Sequence, residues 1–350
     1  MSSPPADAVT TATDAIRRVV LGDDGAVRVE TAAPPRPAGP SGVLLAPLRM
    51  GICGSDVHVL DRRHPFIAPP VVTGHEGVAR VLATGPDVTT CAPGDLVVVN
   101  PLITCGACDR CRNGRANLCG RAKVLGFALP GLAQDRFVLD QRYCHRVPRG
   151  LPAEAAVLTE PLAVGWHAVS RVRGDLGRVL IIGGGPVGLA VLAAVAARGA
   201  DHVTLVEPVA GKRALAARLG ADRVTTPNAA DAGDAVDTAF DCVAAAPTLA
   251  AAGAATVPGG TLVCVGVPPG DTPLPLARLQ RWEIDVLGTG LYLGPDIDAV
   301  LAHLSSATNP PAGLVTAAYP MERAADAFTA TRDPGHVKVT ITWPDPLPTP

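Results

Sequence analysis

Residues 179–207 read VLIIGGGPVGLAVLAAVAARGADHVTLVE, and this stretch decides the fold of the second half of the chain. An apolar run at Val179–Ile182 predicts a buried strand, and a second strand is predicted at His202–Glu207. Between them, a glycine-rich turn leads into an apolar helix at Pro186–Arg198. A strand, a glycine turn and a helix in this order are typical of a dinucleotide-binding unit.

The turn itself fits the pattern G-x-G-x-x-G, with glycines at Gly183, Gly185 and Gly188. The first glycine makes the turn, the second lets the backbone approach a pyrophosphate, and the third lets helix and strand pack closely. Pro186 and Val187 open the helix, whose free N–H groups would face the phosphates. A glycine-rich core turn without a ligand is the alternative interpretation.

A carboxylate closes the second strand of this unit. Glu207 lies 19 residues beyond Gly188. A carboxylate in this place accepts hydrogen bonds from the adenosine ribose and repels a 2′-phosphate, so the sequence favours NAD over NADP. Lys212 and Arg213 lie nearby and could tolerate the phosphate, which leaves NADP as the second choice.

The strand–helix alternation continues towards the C-terminus. Further strands are predicted at Thr238–Val243, Thr261–Val265 and Ile284–Gly288, and a helix at Lys212–Leu219. Such alternation predicts a parallel sheet covered by helices on both faces. Val179–Ala197 is uncharged and long enough to span a bilayer, but its glycines and proline favour a strand, turn and buried helix instead.

The first half of the chain has a different pattern of apolar residues. Residues 43–150 contain short apolar runs separated by Gly and Pro, such as Val78–Leu82, Leu96–Val99 and Phe137–Leu139. This pattern of short apolar runs predicts a β-barrel-type domain with long loops. Before it, we expect a leader rich in Ser, Pro and Ala and a proline-rich loop, with the first strand at Gly42–Leu48. Beyond residue 307, a helix near residues 322–331 and a strand near residues 337–342 are predicted.

Four cysteines are clustered in one short loop of this first half. Their spacing is C-x2-C-x2-C-x7-C, at Cys105, Cys108, Cys111 and Cys119. Four thiolates at this spacing can enclose one tetrahedral Zn²⁺ and leave no open position, which predicts a structural site. A pair of disulfides is the alternative, and the intracellular composition of the rest of the chain argues against it.

Composition excludes several classes of protein. The 350 residues are enough for two domains, and a content of 48% hydrophobic and 18% charged residues allows a large core. The net charge of −2 and the lack of a basic stripe argue against a nucleic-acid partner. No secretory signal is recognised at the N-terminus, so we expect a cytoplasmic protein without a membrane span.

A second group of metal-ligand residue types precedes the cysteine loop. Gly51–His58 reads GICGSDVH and holds Cys53, and residues 74–76 read GHE and hold His75 and Glu76. Cysteine, histidine and glutamate are all zinc ligands. Taken singly, Cys53 is more often a small buried hydrophobe and His75 a core histidine, but together they suggest a second metal site.

In combination, these motifs resemble the zinc-dependent medium-chain dehydrogenases, the alcohol dehydrogenase-like family. The match includes GICGSDVH, GHE, the four-cysteine lobe, EPLAVGWHA at residues 160–168 and GGGPVG, in the family's order. The resemblance implies a GroES-like β-barrel-type catalytic domain at 1–165 and 307–350, with its zinc lobe at 100–122. It also implies a Rossmann doubly wound α/β domain at 166–306.

The resemblance assigns roles to residues of a catalytic zinc site. It implies that Cys53 and His75 bind the metal and that Glu160 replaces the cysteine of the liver alcohol dehydrogenase-like branch, as in the sorbitol and threonine dehydrogenase-like branches. Glu76 matches the family's exchangeable acid. Which glutamate is the resting third protein ligand stays open.

Three further residues of the same segment receive supporting roles from the resemblance. Asp56 would orient the ring of His75. Ser55 and His58 match the family's proton relay, to which a histidine is suited because its pKa is near neutrality.

The implied activity is oxidation of a secondary alcohol to a ketone, with hydride transfer to NAD(P). Zinc would lower the pKa of the alcohol, and the nicotinamide would accept the hydride. Glu160 indicates a polyol, cyclitol, sugar or aminosugar substrate, and an L-threonine-like amino alcohol is the alternative. A non-catalytic NAD-binding sensor is an alternative of another class. The resemblance also implies two zinc ions per chain and a homodimer or homotetramer.

Overall fold

Two sheets of different topology organise the residues that the computed structural model describes, which are 15–36, 39–227, 235–268, 270–306 and 313–346. The first half of the chain contributes ten strands: β1 (Ile16–Leu21), β2 (Val27–Ala32), β3 (Gly42–Gly51), β4 (Val71–Val72), β5 (Glu76–Thr84), β6 (Leu96–Val99), β7 (Leu102–Ile103), β8 (Lys123–Val124), β9 (Phe137–Asp140) and β10 (Cys144–Arg146). Its helices are α1 (Gly54–Leu60), α2 (Asp109–Arg112), α3 (Ala153–Ala156) and α4 (Thr159–Ser170).

The second half adds the strands β11 (Arg178–Ile182), β12 (His202–Val206), β13 (Arg223–Thr225), β14 (Val236–Asp241), β15 (Thr256–Cys264), β16 (Asp285–Gly288), β17 (Val315–Pro320) and β18 (Lys338–Thr342). Its helices are α5 (Pro186–Arg198), α6 (Ala210–Arg218), α7 (Ala246–Ala255), α8 (Leu276–Arg281), α9 (Gly294–Ser306) and α10 (Ala324–Ala330).

The six strands β11 to β16 form a sheet in the order β13-β12-β11-β14-β15-β16, and every pair in it is parallel. Strand order therefore reverses next to β11, as in a doubly wound nucleotide-binding fold. The predicted Rossmann domain is confirmed, and the apolar stretch at 179–197 is a strand, a turn and a buried helix. Among the described residues, no helix combines the length and apolarity that a membrane crossing requires.

The first half forms a largely antiparallel sheet in the order β10-β6-β5-β3-β18-β17, with β9 also paired to β3. β18 pairs with β3, so the end of the chain completes the N-terminal sheet. This arrangement confirms the expected β-rich catalytic domain. A further sheet, β2-β1-β4, contains two strands, β1 and β2, in the segment where only a leader and a loop were expected. That expectation was wrong for Ile16–Leu21 and Val27–Ala32, which pair as an antiparallel hairpin.

Helix α4 crosses the predicted domain boundary between residues 165 and 166 without interruption. It packs closely on α5 at Gly165, where a Cβ would lie only 2.3 Å from the backbone of Ala190. The predicted division thus falls within a helix that belongs to the shared interface. The predicted domain limits at residues 1, 307 and 350 lie outside the described residues.

Candidate active site and metal centres

The four-cysteine lobe places its sulfur atoms as a tetrahedral zinc site requires. The Sγ–Sγ distances are 3.5 Å (Cys105–Cys119), 3.6 Å (Cys108–Cys111) and 3.9 Å (Cys105–Cys111 and Cys108–Cys119). Zn–S bonds of about 2.3 Å in a tetrahedron separate the sulfurs by about 3.8 Å. A disulfide needs about 2.05 Å, and all four cysteines are free thiols. The geometry fits one metal ion and excludes the disulfide alternative.

Local structure brings these sulfurs together. β7 and β8 pair with each other on either side of the cysteine loop, and α2 begins directly after Cys108 and contains Cys111. Gly106 and Gly114 adopt positive φ angles of 66° and 70°, which bend the backbone around the sulfurs. Backbone N–H groups of Ala107 and Cys108 lower the pKa of Cys105 to about 5, which favours the thiolate that a metal binds.

The second predicted metal site is also assembled. One ligand atom each from Cys53, His75 and Glu76 lies within 4.8 Å of the other two. His75 and Glu76 are buried, and Cys53 is partly exposed. A thiolate, an imidazole and a carboxylate that converge in a buried place are a donor set suited to zinc.

The three donors come from adjoining segments of one sheet. Cys53 follows β3 and caps α1, and His75 directly precedes Glu76, the first residue of β5. β3 and β5 are paired with Gly51 opposite Glu76, and a Cβ on Gly51 would lie 2.1 Å from the Glu76 carboxylate. Glycine at this position therefore leaves the room that the glutamate side chain occupies.

Asp56 links Cys53 to the segment before His75 by hydrogen bonds. Its Oδ2 accepts the backbone N–H of Cys53 at 2.9 Å, and its Oδ1 accepts the Thr73 hydroxyl at 2.8 Å. Nδ1 of His75 lies 3.6 Å from Asp56 Oδ1 and has no hydrogen-bond partner among the described residues. A small shift of the ring would complete a His–Asp hydrogen bond, so Asp56 is placed to orient His75 as expected.

Lys338, which sequence reasoning missed, lies against the metal-ligand group. Its Nζ donates to both carboxylate oxygens of Glu76, at 2.8 and 2.7 Å, and lies 3.3 Å from the carbonyl oxygen of Ile52. Burial opposes the charged form, but the charges of Glu76 and Cys53 raise the pKa of Lys338 above its usual value. One signal was available, because Lys338 is a lone charge among the uncharged residues of the predicted strand near 337–342, VKVTIT.

Glu160 lies beside this group but outside the set of three donors. It sits in the first turn of α4, and its Oε1 accepts a 2.6 Å hydrogen bond from the hydroxyl of Tyr292. Burial, together with the charge of Glu76, raises the pKa of Glu160 to about 7. Tyr292 is buried, at 1% exposure, and its hydroxyl reaches the site through this bond.

Two other aromatic residues, Phe127 and Trp166, occupy different places. The ring centroid of Phe127 lies 4.9 Å from that of His75, so Phe127 borders the candidate metal site. Trp166 lies between α4 and α9, with its ring centroid 5.0 Å from that of His303.

A cleft of about 240 Å³ runs between the two halves of the molecule. His58 and Gly54 line it from α1, and Pro186 and Lys212 line it from the nucleotide-binding side. Ser55 and His58 are three residues apart on α1 and therefore share a face of that helix. Ser55 is half-buried and His58 is exposed, so a relay from the interior to the cleft is geometrically open to them.

The glycine turn has the contacts that the motif predicts. A Cβ on Gly188 would lie 1.8 Å from the carbonyl oxygen of Gly183, so only glycine fits there. A Cβ on Gly185 would meet no other group within 4 Å, which leaves open space at the N-terminus of α5. That space, bordered by free helical N–H groups, fits a pyrophosphate.

Glu207 follows β12 directly and is fixed by the backbone. Its two carboxylate oxygens accept N–H groups of Gly184 and Val209, each at 2.8 Å. Arg213 donates to the carbonyl oxygens of Glu207 and Pro208. The Arg213 head group is thus engaged with the backbone, while Lys212 lines the cleft.

Comparison with known proteins agrees with this geometry. Residues 39–149 match the family model for the alcohol dehydrogenase GroES-like domain, and residues 186–306 match that for a zinc-binding dehydrogenase. The chain is 35% identical to sorbitol dehydrogenase of Arabidopsis thaliana over 73% of this chain and 75% of that protein. It is 32% identical to sorbitol dehydrogenase of Gallus gallus over 92% and 95% of the two chains.

A solved structure of a zinc-binding dehydrogenase is also similar to this chain. A putative zinc-binding dehydrogenase from Sinorhizobium meliloti, bound to NADP, superposes with a TM-score of 0.86 at 27% identity, covering 95% of this chain and all of that chain. Both halves of the fold are therefore shared over almost the full length. The chain belongs to the zinc-dependent medium-chain dehydrogenases, the alcohol dehydrogenase-like family.

Proposed function

We propose that the protein oxidises a secondary hydroxyl of a polyol or sugar-like substrate to a ketone and transfers the hydride to NAD(P). As a member of its family it is an alcohol oxidoreductase that uses zinc and NAD(P). The observation that carries the proposal is the convergence of Cys53, His75 and Glu76 within 4.8 Å beside a cleft that the nucleotide-binding half also lines.

The residues of this chain divide the work of the reaction. Cys53, His75 and Glu76 would hold the catalytic zinc, and Glu160, whose charge interacts with Glu76 and His75, is the alternative third ligand. Bound there, zinc supplies a Lewis acid that favours loss of the hydroxyl proton. Cys105, Cys108, Cys111 and Cys119 would hold the second, structural zinc. The burial of His75 and Glu76 excludes water from one side of the reacting centre.

Ser55 and His58 would carry the released proton. Ser55 is two residues beyond Cys53, the N-cap of α1, and His58 lines the cleft on the same face as Ser55. A histidine at the solvent end of this path can accept a proton on one ring nitrogen and release one from the other.

The nucleotide would lie along the glycine turn. Gly183, Gly185, Pro186, Val187 and Gly188 would face the pyrophosphate, and the buried carboxylate of Glu207 would face the adenosine ribose. The negative charge of Glu207 and the engagement of Arg213 by backbone carbonyls favour NAD, since both disfavour a 2′-phosphate. Lys212, in the cleft, would contact the cofactor.

The substrate class rests on the sorbitol dehydrogenase relatives and on Glu160. Both relatives are named for a polyol, and the chain carries an acid, not a cysteine, at residue 160. A cyclitol or aminosugar is the finer assignment that we propose to test within this class.

Three wider features complete the proposal. The protein would act in the cytoplasm, where free cysteines stay reduced. It would form a homodimer or homotetramer. Its catalytic domain would comprise 1–165 and 307–350 and its Rossmann domain 166–306, a division supported by the pairing of β18 with β3.

A substrate panel tests the function. NADH formation would be followed with polyols, cyclitols, aminosugars, L-threonine and simple secondary alcohols, for wild type and Cys53→Ala. We expect turnover of a polyol-class substrate by wild type and none by the variant. Turnover of L-threonine alone would reassign the substrate, and NAD binding without any turnover would favour a sensor.

A further inference from the structure

The four-cysteine lobe contacts the loop that carries Tyr292. Asn117 lies two residues before Cys119, in a 3-10 turn of the lobe. Its Nδ2 donates to the carbonyl oxygen of Gly290 at 3.0 Å and lies 3.3 Å from Nε2 of His167. One side chain of the lobe thus joins the loop after β16 to helix α4.

The same loop is held along one face of α4. Glu160 and His167 are seven residues apart, two turns of one helix, and therefore point the same way. Tyr292 bonds Glu160, while Nδ1 of His167 lies 2.9 Å from Oδ2 of Asp296. His167 can accept from Asn117 and donate to Asp296, so its two ring nitrogens are both satisfied.

Both ends of the loop are fixed around a strained residue. The N–H of Leu293 donates to Asp296 at 2.8 Å, and Arg171 of α4 donates to the carbonyl oxygen of Gly288 at 3.3 Å. Between these anchors, Leu291 has φ = 54°, a left-handed conformation that bulky side chains rarely adopt. Such a conformation persists only where the surroundings hold it in place.

We propose that Asn117 is a positioning residue of the active site. Through Asn117, the four-cysteine lobe fixes the loop at 289–293 and places Tyr292 against Glu160. The structural zinc site then acts on the reaction as well as on the folding of its own lobe. The kinetic part of this inference rests on the proposed function; the structural part does not.

Hydrogen exchange measured by mass spectrometry tests the structural part. Asn117→Asp keeps the shape of the side chain but removes the Nδ2 donor, and Asn117→Ala removes both. We expect peptides covering 289–296 to exchange about fivefold faster in both variants, because a lost hydrogen bond loosens the loop it held. Asn113→Ala, at an exposed asparagine of the same lobe, is the matched control and should leave exchange unchanged. Wild-type exchange in both Asn117 variants would overturn the inference.

A double-mutant cycle on kcat/KM tests the kinetic part. We expect Asn117→Ala and Tyr292→Phe each to lower kcat/KM about tenfold, and the double variant to be no worse than Tyr292→Phe alone, because residues in one network are not additive. Additive losses would show that Asn117 does not act through Tyr292. If wild type turns over no alcohol, the proposed function fails, and the exchange experiment still decides the inference.

Discussion

Replacing Lys338 by Met should destabilise the protein strongly, and by an amount that depends on the neighbouring metal site. Lys338 and Glu76 are 3% and 1% exposed, and both carboxylate oxygens accept from the ammonium group. Methionine keeps most of the side-chain volume but leaves the Glu76 charge without this partner. Removing one partner of a buried ion pair costs about 3–5 kcal/mol. We expect that loss in full in a Cys53→Ala background, where the catalytic metal should not bind.

In the metal-loaded protein the same substitution should cost less, by at least about 1 kcal/mol, because a cation beside Glu76 still balances its charge. Urea unfolding of four proteins gives the comparison: wild type, Lys338→Met, Cys53→Ala and the double variant. Lys123→Met is the control at an exposed lysine and should change stability by less than about 0.5 kcal/mol. A cost below about 1 kcal/mol for Lys338→Met in both backgrounds would refute the reasoning.

Three other predictions concern the cofactor and the buried acid. Gly188→Ala should abolish NADH binding and lower the free energy of unfolding by about 1–3 kcal/mol, because its Cβ would overlap the Gly183 carbonyl oxygen. Gly185→Ala should fold normally and only bind NADH more weakly, because its Cβ would meet no other group. Equal unfolding curves for the two variants would contradict this. Glu207→Gln should lower the preference for NAD over NADP about tenfold in kcat/KM, and an unchanged ratio would remove Glu207 from ribose recognition. In Cys53→Ala, where no catalytic metal intervenes, the folded-state pKa of Glu160 is raised to about 7 and the unfolded value is about 4.5. Between these two values the folded protein holds a proton that the unfolded chain has lost, so the free energy of unfolding should fall as pH rises from about 4.5 through about 7. Chemical unfolding at several pH values should show that Glu160→Gln removes this dependence on pH. A dependence that persists in Glu160→Gln would assign it to another group.

Local sequence patterns predicted most of the elements that build the site. The turn at Gly183–Gly188, helix Pro186–Arg198 and strand Leu96–Val99 lie where hydrophobic periodicity and glycine spacing placed them. Helix α6 begins two residues earlier than expected, at Ala210, since no capping side chain marks its start. The hairpin at Ile16–Leu21 and Val27–Ala32 was missed because the proline-rich composition around it favoured a loop.

Long-range partners were beyond the reach of local patterns. Lys338 meets Glu76 across 262 residues, and Tyr292 meets Glu160 across 132. Neither pair has a characteristic spacing, because the contacts arise only when β18 pairs with β3 and when the loop after β16 folds over α4. The family resemblance identified Cys53, His75, Glu76 and Glu160 as ligand candidates, and the geometry separates Glu160 from the other three.

Zinc content per chain tests the central claim most directly. Metal analysis of purified wild type and Cys53→Ala should give two zinc ions and one, respectively, because the four-cysteine lobe is independent of Cys53. The variant should also keep its fold and its NADH affinity while losing all alcohol oxidation. Two zinc ions retained in Cys53→Ala, or full oxidation activity in a protein with one, would contradict the account.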